Sequence, residues 1–314
     1  MQMKATWHHQ SGILLLAFGG PNSLEDVEPF LKNVFSGRPL DPFVVNQVKE
    51  RYRLIGGKSP LPEITEKQAR SLQGNLKKRG MFCDVSIGMR YWQPSISEAI
   101  NALHAKGIKK IFCVILSPFA TEAATGGYTR AVYQTIKESL LTMEAQFVSP
   151  WNTHPRYLDI VADTVNEGLA LFSANIRPSV SIVFSAHSLP LEHISNDPYV
   201  SEIEKTIAGV IARLEKHEWY LAFQSQGKEG AWLAPSVEEV LKEIVASGKK
   251  DALVVPLGFV ADHLETCYDL DIVLLKKALD LGLTFKRAPS LNDRPQFIEA
   301  LTEVIENSLH SCQQ

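Results

Sequence analysis

Cysteine is scarce in this chain. Its 314 residues hold four, Cys83, Cys113, Cys267 and Cys312, spaced far apart with no Cys-x-x-Cys among them. That argues against a zinc or iron–sulfur cluster held by paired thiolates. It also points to a reducing, cytoplasmic compartment. Cys83 and Cys113 fall inside expected strands and read as buried small hydrophobes. No apolar run approaches the roughly 20 residues a membrane-crossing helix needs. Residues 1–10 lack the charged-then-apolar order of a signal peptide. Charge of one sign is also missing: the formal net charge is -3, with no polybasic tract, so nucleic acid is not an expected partner. No Gly-x-Ser-x-Gly and no His-Glu-x-x-His occur. The turn Gly19-Gly20-Pro21-Asn22-Ser23 has neither the dinucleotide glycine pattern nor the Gly-Lys-Ser/Thr of a P-loop, which argues against nucleotide binding.

What is present is ordinary globular composition, 45% hydrophobic and 21% charged. Strand-like apolar runs alternate with helical patterns. Residues 13–18, 85–89, 111–116 and 146–148 form one set, and 180–184, 220–223, 252–257 and 284–285 a second. Non-alternating strands separated by helices predict parallel sheets covered on both faces. The expected fold class is α/β, with two similar Rossmann-like domains, each a four-stranded parallel sheet flanked by helices. The boundary is set near Trp151, giving domains 1–150 and 151–293. Ser23 with Asp26 reads as a variant capping box for the first helix. Residues 64–78 read as an amphipathic helix, and residues 154–172 as a helix joining the halves.

The stretch Val180 to Pro190 ends a β-branched run at Ser185-Ala186-His187-Ser188. In open parallel sheets ligands sit at the carboxyl ends of strands. His187 there can titrate near neutrality or bind a metal; a hydrogen-bonded structural histidine is the plainer reading. A second strand leads into Asp262, His263, Glu265, Asp269 and Asp271. Glu265 and Asp269, four apart, share one face of a helix, where a solvated surface is the plainer reading. Arg90 beside Tyr91 can meet an anion. Trp232 lies in a loop, where a large ring is costly unless it covers something. Tyr52 and Ser59 flank Gly56-Gly57, either as a carboxylate-holding loop or as a helix C-cap. Phe30, Leu31, Val34 and Phe35 cluster before Gly37, either as core or as an exposed apolar lip. A histidine, a row of acids and strand-end aromatics suit a flat apolar ligand, proton transfer and a transiently held metal.

Three motifs, Phe184-Ser-Ala-His-Ser-Leu-Pro, Ile55-Gly-Gly-Lys-Ser-Pro-Leu and Gly258-Phe-Val-Ala-Asp-His-Leu-Glu-Thr-Cys-Tyr-Asp, resemble the ferrochelatase family in order and spacing. Leu16-Ala-Phe-Gly-Gly-Pro and Gln224-Ser-Gln-Gly with Trp232-Leu233 fit too, so the likeness covers residues 12–309. The resemblance implies an enzyme that inserts Fe²⁺ into a porphyrin with loss of two protons, a terminal step of haem biosynthesis. It implies a cleft between the two domains, with the C-terminal helix, residues 294–314, packed back on the first. By motif match His187 is the catalytic histidine, as metal ligand or proton acceptor. Glu265 is the acid set opposite it across the macrocycle. Asp262, His263 and Asp269 match an accessory acidic path, and Phe18, Tyr52, Ser59, Arg90, Tyr91 and Trp232 match porphyrin-binding positions. No tightly bound cofactor and no iron–sulfur cluster is expected, since the chain ends two residues after Cys312.

Departures bear on the substrate. Phe18 stands where the coproporphyrin branch has Tyr, and Phe35-Ser36 where it has paired arginines. These favour the less charged protoporphyrin IX. Against that, the Gly258 motif looks like the coproporphyrin branch, and Ala120 replaces a larger residue common in the protoporphyrin branch. Val273 replaces an acid seen in some members, which weakens a second metal site. Coproporphyrin III is therefore the alternative substrate. A cobalt or sirohydrochlorin chelatase and an inactive porphyrin carrier are further alternatives. The chain is expected to be a cytoplasmic monomer, with the Phe30 to Phe35 lip as its candidate contact with a membrane surface.

Overall fold

The computed structural model describes residues 10–119, 121–194, 196–227 and 230–311. Ala120 and Cys312, both singled out above, lie outside the described residues. Two compact units emerge, one of Met1–Trp151 with Asn292–Gln314 and one of Asn152–Leu291.

The first unit runs β1 (Ser11–Ala17), α1 (Val27–Val34), α2 (Pro42–Leu54), α3 (Leu61–Lys78), β2 (Asp84–Met89), α4 (Ile96–Ala105), β3 (Lys110–Ile115), α5 (Glu122–Glu138) and β4 (Glu144–Phe147). The second runs α6 (Pro155–Ala170), β5 (Ser181–His187), α7 (Tyr199–Ile211), β6 (Trp219–Gln224), α8 (Val237–Ala246), β7 (Asp251–Pro256), a π-helix (Glu265–Leu274), α9 (Leu275–Asp280) and β8 (Thr284–Arg287). Helix α10 (Pro295–Ser311) returns to the first unit, packing on α3. There Arg79 pairs with Glu299 and Glu306, and the Gln68 amide donates to the Asn292 carbonyl at 2.8 Å.

Both sheets are parallel, and their strand orders match: β2-β1-β3-β4 and β6-β5-β7-β8. The cause is visible in β1 and β5. Every residue of β1 is buried, and Ile13, Leu14, Leu15 and Leu16 are wholly so. A strand apolar on both faces must be central, with helices above and below. Burying each such side chain contributes about 1.5–3 kcal/mol. The units also share a local device. Helices α4 and α8 each open with a reciprocal capping box, Ser95 with Glu98 and Ser236 with Glu239, that satisfies orphan amides at the helix start.

Several expectations are corrected. Strand β5 does not stop at Phe184 but runs through His187, because Ala186 and His187 stay paired with Phe223 and Gln224 of β6. Cys83 precedes β2, which begins at Asp84, and is half-buried; only Cys113 is a buried strand residue. Asp26 is the N-cap of α1 but makes no side-chain cap. Its backbone is already helical, with φ -77° and ψ -12°, whereas a capping side chain folds back from an extended residue. The apolar cluster splits: Phe30 and Leu31 enter the core, while Phe35 is 44% exposed.

Candidate active site

In each sheet the chain order reverses at the first strand of its unit, which lies between the next two. That is the switch point, where connections leave in opposite directions and a crevice opens at the carboxyl ends. In the second unit, β5 ends on His187, β6 on Gln224, and β7 leads by a loop to the π-helix that opens on Glu265. The sheet therefore brings residues nearly eighty positions apart into contact. His187 Nδ1 and Glu265 Oε2 lie 2.9 Å apart. The same carboxylate oxygen accepts from Ser225 Oγ at 2.7 Å and from Gln224 Nε2 at 3.5 Å. Gln224 is itself oriented by Ser185 Oγ, which donates to its Oε1 at 2.7 Å. The Tyr199 hydroxyl donates to the His187 carbonyl at 3.1 Å, fixing the strand end. Ser225 holds a left-handed backbone, φ 61°. This is an uncommon conformation for a residue other than glycine, and one that clusters at functional sites.

The electrostatics follow from that contact. Burial works against a charged imidazole, but the charge and hydrogen bond of Glu265, with Asp269 adding to them, raise the His187 pKa above its ordinary value. Burial likewise opposes the Glu265 carboxylate, yet His187, with His263 and Ser225, lowers its pKa well below the usual carboxylate range. Glu265 is thus an anion that holds the proton on Nδ1. Nε2 is left as the nitrogen with a lone pair for an incoming proton or metal. The set offers a base, a fixed negative charge and two metal-ligating atom types. No three His, Cys, Asp or Glu side chains converge as a closed cage among the described residues.

The direct contact corrects one implied geometry. A macrocycle cannot stand between groups in hydrogen-bond contact, so Glu265 does not face His187 across a ring in this conformation. The helix differs too: Glu265–Leu274 winds as a π-helix. This i→i+5 winding is rare and is found mostly at functional sites. Glu265 and Asp269 still share a partner, since Ser225 Oγ also reaches Asp269 Oδ2 at 3.4 Å. His263 stacks on Phe259, with ring centroids 4.3 Å apart, and Phe259 meets the His187 ring edge-on at 6.3 Å. The His263 Nε2 is buried with no hydrogen-bond partner among the described residues. Burial lowers its pKa, against the pull of Glu265. Asp262 accepts from Arg287 Nη1 at 3.1 Å and from Ser290 Oγ at 2.7 Å. Trp232 is half-buried and covers Gly227, where a Cβ would meet the indole at 2.3 Å.

The first unit builds a matching crevice. Strand β1 leads into Phe18 and β2 into Arg90 and Tyr91. Phe18 packs on Tyr91, with ring centroids 4.7 Å apart, and remains 44% exposed. The turn needs Gly19: φ is +94°, and a Cβ would lie 2.7 Å from Trp92. The Arg90 guanidinium lies over the rings of Tyr91 and Tyr128, at 4.8 and 5.4 Å. Gly127 of α5 makes room for it, since a Cβ there would overlap the guanidinium. Arg90, Tyr91, Lys32 and Asn33 line an open groove of about 800 Å³. Tyr52 and Ser59 do not form an open loop. Each is only 3% exposed, and Ser59 Oγ accepts from the Leu61 amide at the start of α3. The helix-end reading holds for them, with the Gly57 amide donating to the Tyr52 carbonyl at 2.8 Å.

Comparison with known proteins decides the family. The ferrochelatase family model matches residues 10–309. The chain belongs to the ferrochelatase family. Curated ferrochelatases agree with that: the one from Geotalea daltonii is 38% identical over 95% of this chain and 98% of its own length. That from Geobacter metallireducens is 39% identical, with the same shares covered. Membership of the ferrochelatase family makes the chain an enzyme of the lyase class that puts metal into a porphyrin. Solved structures share the fold at far lower identity. The sirohydrochlorin chelatase SirB from Bacillus subtilis subspecies spizizenii, in complex with cobalt, superposes with a TM-score of 0.58 at 13% identity, covering 97% of this chain and 98% of that one. SirB from Bacillus subtilis with Fe³⁺ gives 0.60 at 11% identity, covering 97% of each chain.

Gln224, Ser225 and Tyr199 carried no role in the sequence reading, although Gln224 and Ser225 belong to a ferrochelatase-like motif quoted there. The strand-end argument that found His187 applies equally to β6 and points to both. Tyr199 has no such signal, because its contact depends on how α7 returns to the sheet.

Proposed function

We propose that the protein inserts Fe²⁺ into a porphyrin, protoporphyrin IX in preference to coproporphyrin III, at the terminal step of haem synthesis. The observation that carries this reading is the His187–Glu265 pair at the switch strand of a ferrochelatase-family chain. A free-base porphyrin carries two inner N–H protons. Metallation releases both as Fe²⁺ takes the four nitrogens. His187 Nε2 accepts one proton from the ring, the other leaves to solvent, and the Glu265 carboxylate stabilises the resulting imidazolium through Nδ1–H. The half-buried Asp269 and Glu265 charges favour the approach of a divalent cation. Fe²⁺ is bound as substrate through the Glu265 carboxylate, a ligand that can release it again, while Nε2 of His187 is kept for the proton.

Protoporphyrin is favoured by two positions of the first unit, Phe18 and Phe35-Ser36. Phe18 puts a phenyl ring, not a hydroxyl, against Tyr91, and Phe35-Ser36 adds no cation. Coproporphyrin III, with four carboxylates, gains no additional cation from these two positions. An anaerobic assay of the purified protein with Fe²⁺ and each porphyrin, followed by absorbance, is expected to give faster turnover of protoporphyrin IX. Faster turnover of coproporphyrin III reverses the substrate choice, and no metalloporphyrin from any pair removes the enzymatic reading.

The same substrate is poorly soluble in water, and one surface suits its delivery from a lipid bilayer. Phe43 and Leu54 are 66% and 56% exposed, and they lie three turns apart on one face of α2. Phe35 and Val44 extend the patch, at 44% and 38%. Arg38, Arg51 and Arg53 supply positive charge around it. None of the described helices is long and apolar enough to cross a membrane. Co-sedimentation with anionic vesicles is expected, weakened several-fold by Phe43→Glu; equal pelleting of both proteins dismisses this contact.

A further inference from the structure

We propose that Arg287 is a positioning residue for metal insertion: it clamps Asp262 and Asp271 to the end of β8 and so fixes the π-helix that presents Glu265. This rests on His187 and Glu265 being the reacting pair.

Arg287 is the last residue of β8, with a side chain only 15% exposed. Its Nε and Nη2 meet the two oxygens of Asp271 at 2.6 and 2.8 Å, a bidentate pair. Its Nη1 meets Asp262 at 3.1 Å and Ser290 Oγ at 3.2 Å, and Ser290 Oγ donates to Asp262 at 2.7 Å. The two acids bracket Glu265 in sequence. Asp262 sits in the loop leading in from β7, and Asp271 within the π-helix itself. One guanidinium thus ties the approach and the body of this helix to a rigid strand.

A π winding is rare and mostly confined to a single turn, whereas this one runs from Glu265 to Leu274. The clamp restrains it from both sides of Glu265, through the planar fork of donors that a guanidinium offers. Removing it takes away the positive charge that Asp262 and Asp271 share and loosens the segments on either side of Glu265. Glu265 also has three partners at the ends of β5 and β6 to keep: His187, Gln224 and, just past β6, Ser225. A displacement of about 1 Å in such a group can lower a rate by roughly 10²-fold. The clamp also accounts for Asp262. Asp262 accepts from Arg287 and from Ser290, so through the clamp it acts on the placement of Glu265.

The test is steady-state kinetics with Fe²⁺ and porphyrin on Arg287→Met, Arg287→Lys and Asp271→Asn, with circular dichroism to monitor the fold. For Arg287→Met, kcat is expected to fall at least tenfold while the porphyrin KM stays within about threefold. Arg287→Lys is expected to recover part of the loss, since it keeps the charge without the fork. If Arg287→Met does not fold, Asp271→Asn decides the matter: a lower kcat at unchanged KM supports the clamp, and an unchanged kcat overturns it. A folded Arg287→Met with kcat within twofold of wild type overturns it too. A wild-type protein that inserts no metal overturns the functional reading, and this role with it. Wild-type turnover beside an unaffected variant overturns the clamp alone.

Discussion

His187→Ala is expected to lower metal insertion by roughly 10³-fold, the range removed with a general base in comparable enzymes. Porphyrin affinity should stay within about tenfold of wild type, roughly 1.4 kcal/mol. The asymmetry follows from the contacts. His187 is at the end of β5, where its backbone is held by Tyr199 and by pairing with Gln224. Alanine keeps both, so the strand end should not move. What is lost is the imidazole, whose Nδ1 is engaged by Glu265 and whose Nε2 is the lone pair available to a ring proton. Glu265 keeps its bonds from Ser225 and Gln224, so the carboxylate remains in place without its basic partner. Single-turnover absorbance with Fe²⁺ and fluorescence titration of porphyrin separate the two quantities. A folded variant that turns over within threefold of wild type leaves the imidazole without a catalytic role. A variant that unfolds supports the plainer reading of His187 as a structural histidine.

The architecture was legible because it depends on long-range hydrophobic order. Runs such as Ile13 to Leu16 and Ile182 to Phe184 are apolar on both faces, and only a covered parallel sheet buries them. The position of His187 followed from the same pattern, since a strand that stops delivers its last side chain to the sheet's edge. Its contact with Glu265 did not follow. The two lie 78 positions apart, and only the order β6-β5-β7 brings their strand ends together. The π winding was hidden for a different reason. A carboxylate pair four apart reads as one face of an ordinary helix, and nothing local in Glu265 to Leu274 marks the i→i+5 pattern. Asp262 illustrates the limit of local chemistry. Beside Glu265 and Asp269 it looks like a third acid in a row, yet one of its partners, Arg287, comes from a strand 25 residues on. Tyr52 and Ser59 show the reverse: hydroxyls near a glycine pair suggest a ligand loop, and burial assigns them to a helix end.

Glu265→Gln keeps the side chain's shape and removes its charge, and its effects should appear in both chemistry and titration. Turnover is expected to fall about 10²-fold, comparable to losing one preorganised electrostatic contact. An amide neither balances a divalent cation nor stabilises an imidazolium. The second effect concerns His187 itself. In the wild type, burial disfavours the imidazolium, and Glu265 overrides burial, followed by Asp269. Without the Glu265 charge, burial is opposed chiefly by Asp269, and the His187 pKa should drop. Imidazole resonances followed by NMR against pH are expected to titrate above 6.5 in the wild type and lower in the variant. The same pair sets a pH window for stability. A raised His187 contributes below its unfolded value near 6.5, and that contribution fades as pH rises through the folded value. A depressed Glu265 contributes above its unfolded value near 4.5, and that contribution fades as pH falls through the folded value. The stability difference between wild type and Glu265→Gln is therefore largest between about pH 4.5 and 6.5 and narrows on either side. Denaturant titrations across that range test it directly. A difference that is flat with pH means the two side chains are not charge-coupled, and an unmoved His187 titration means that Glu265 does not set the state of the base.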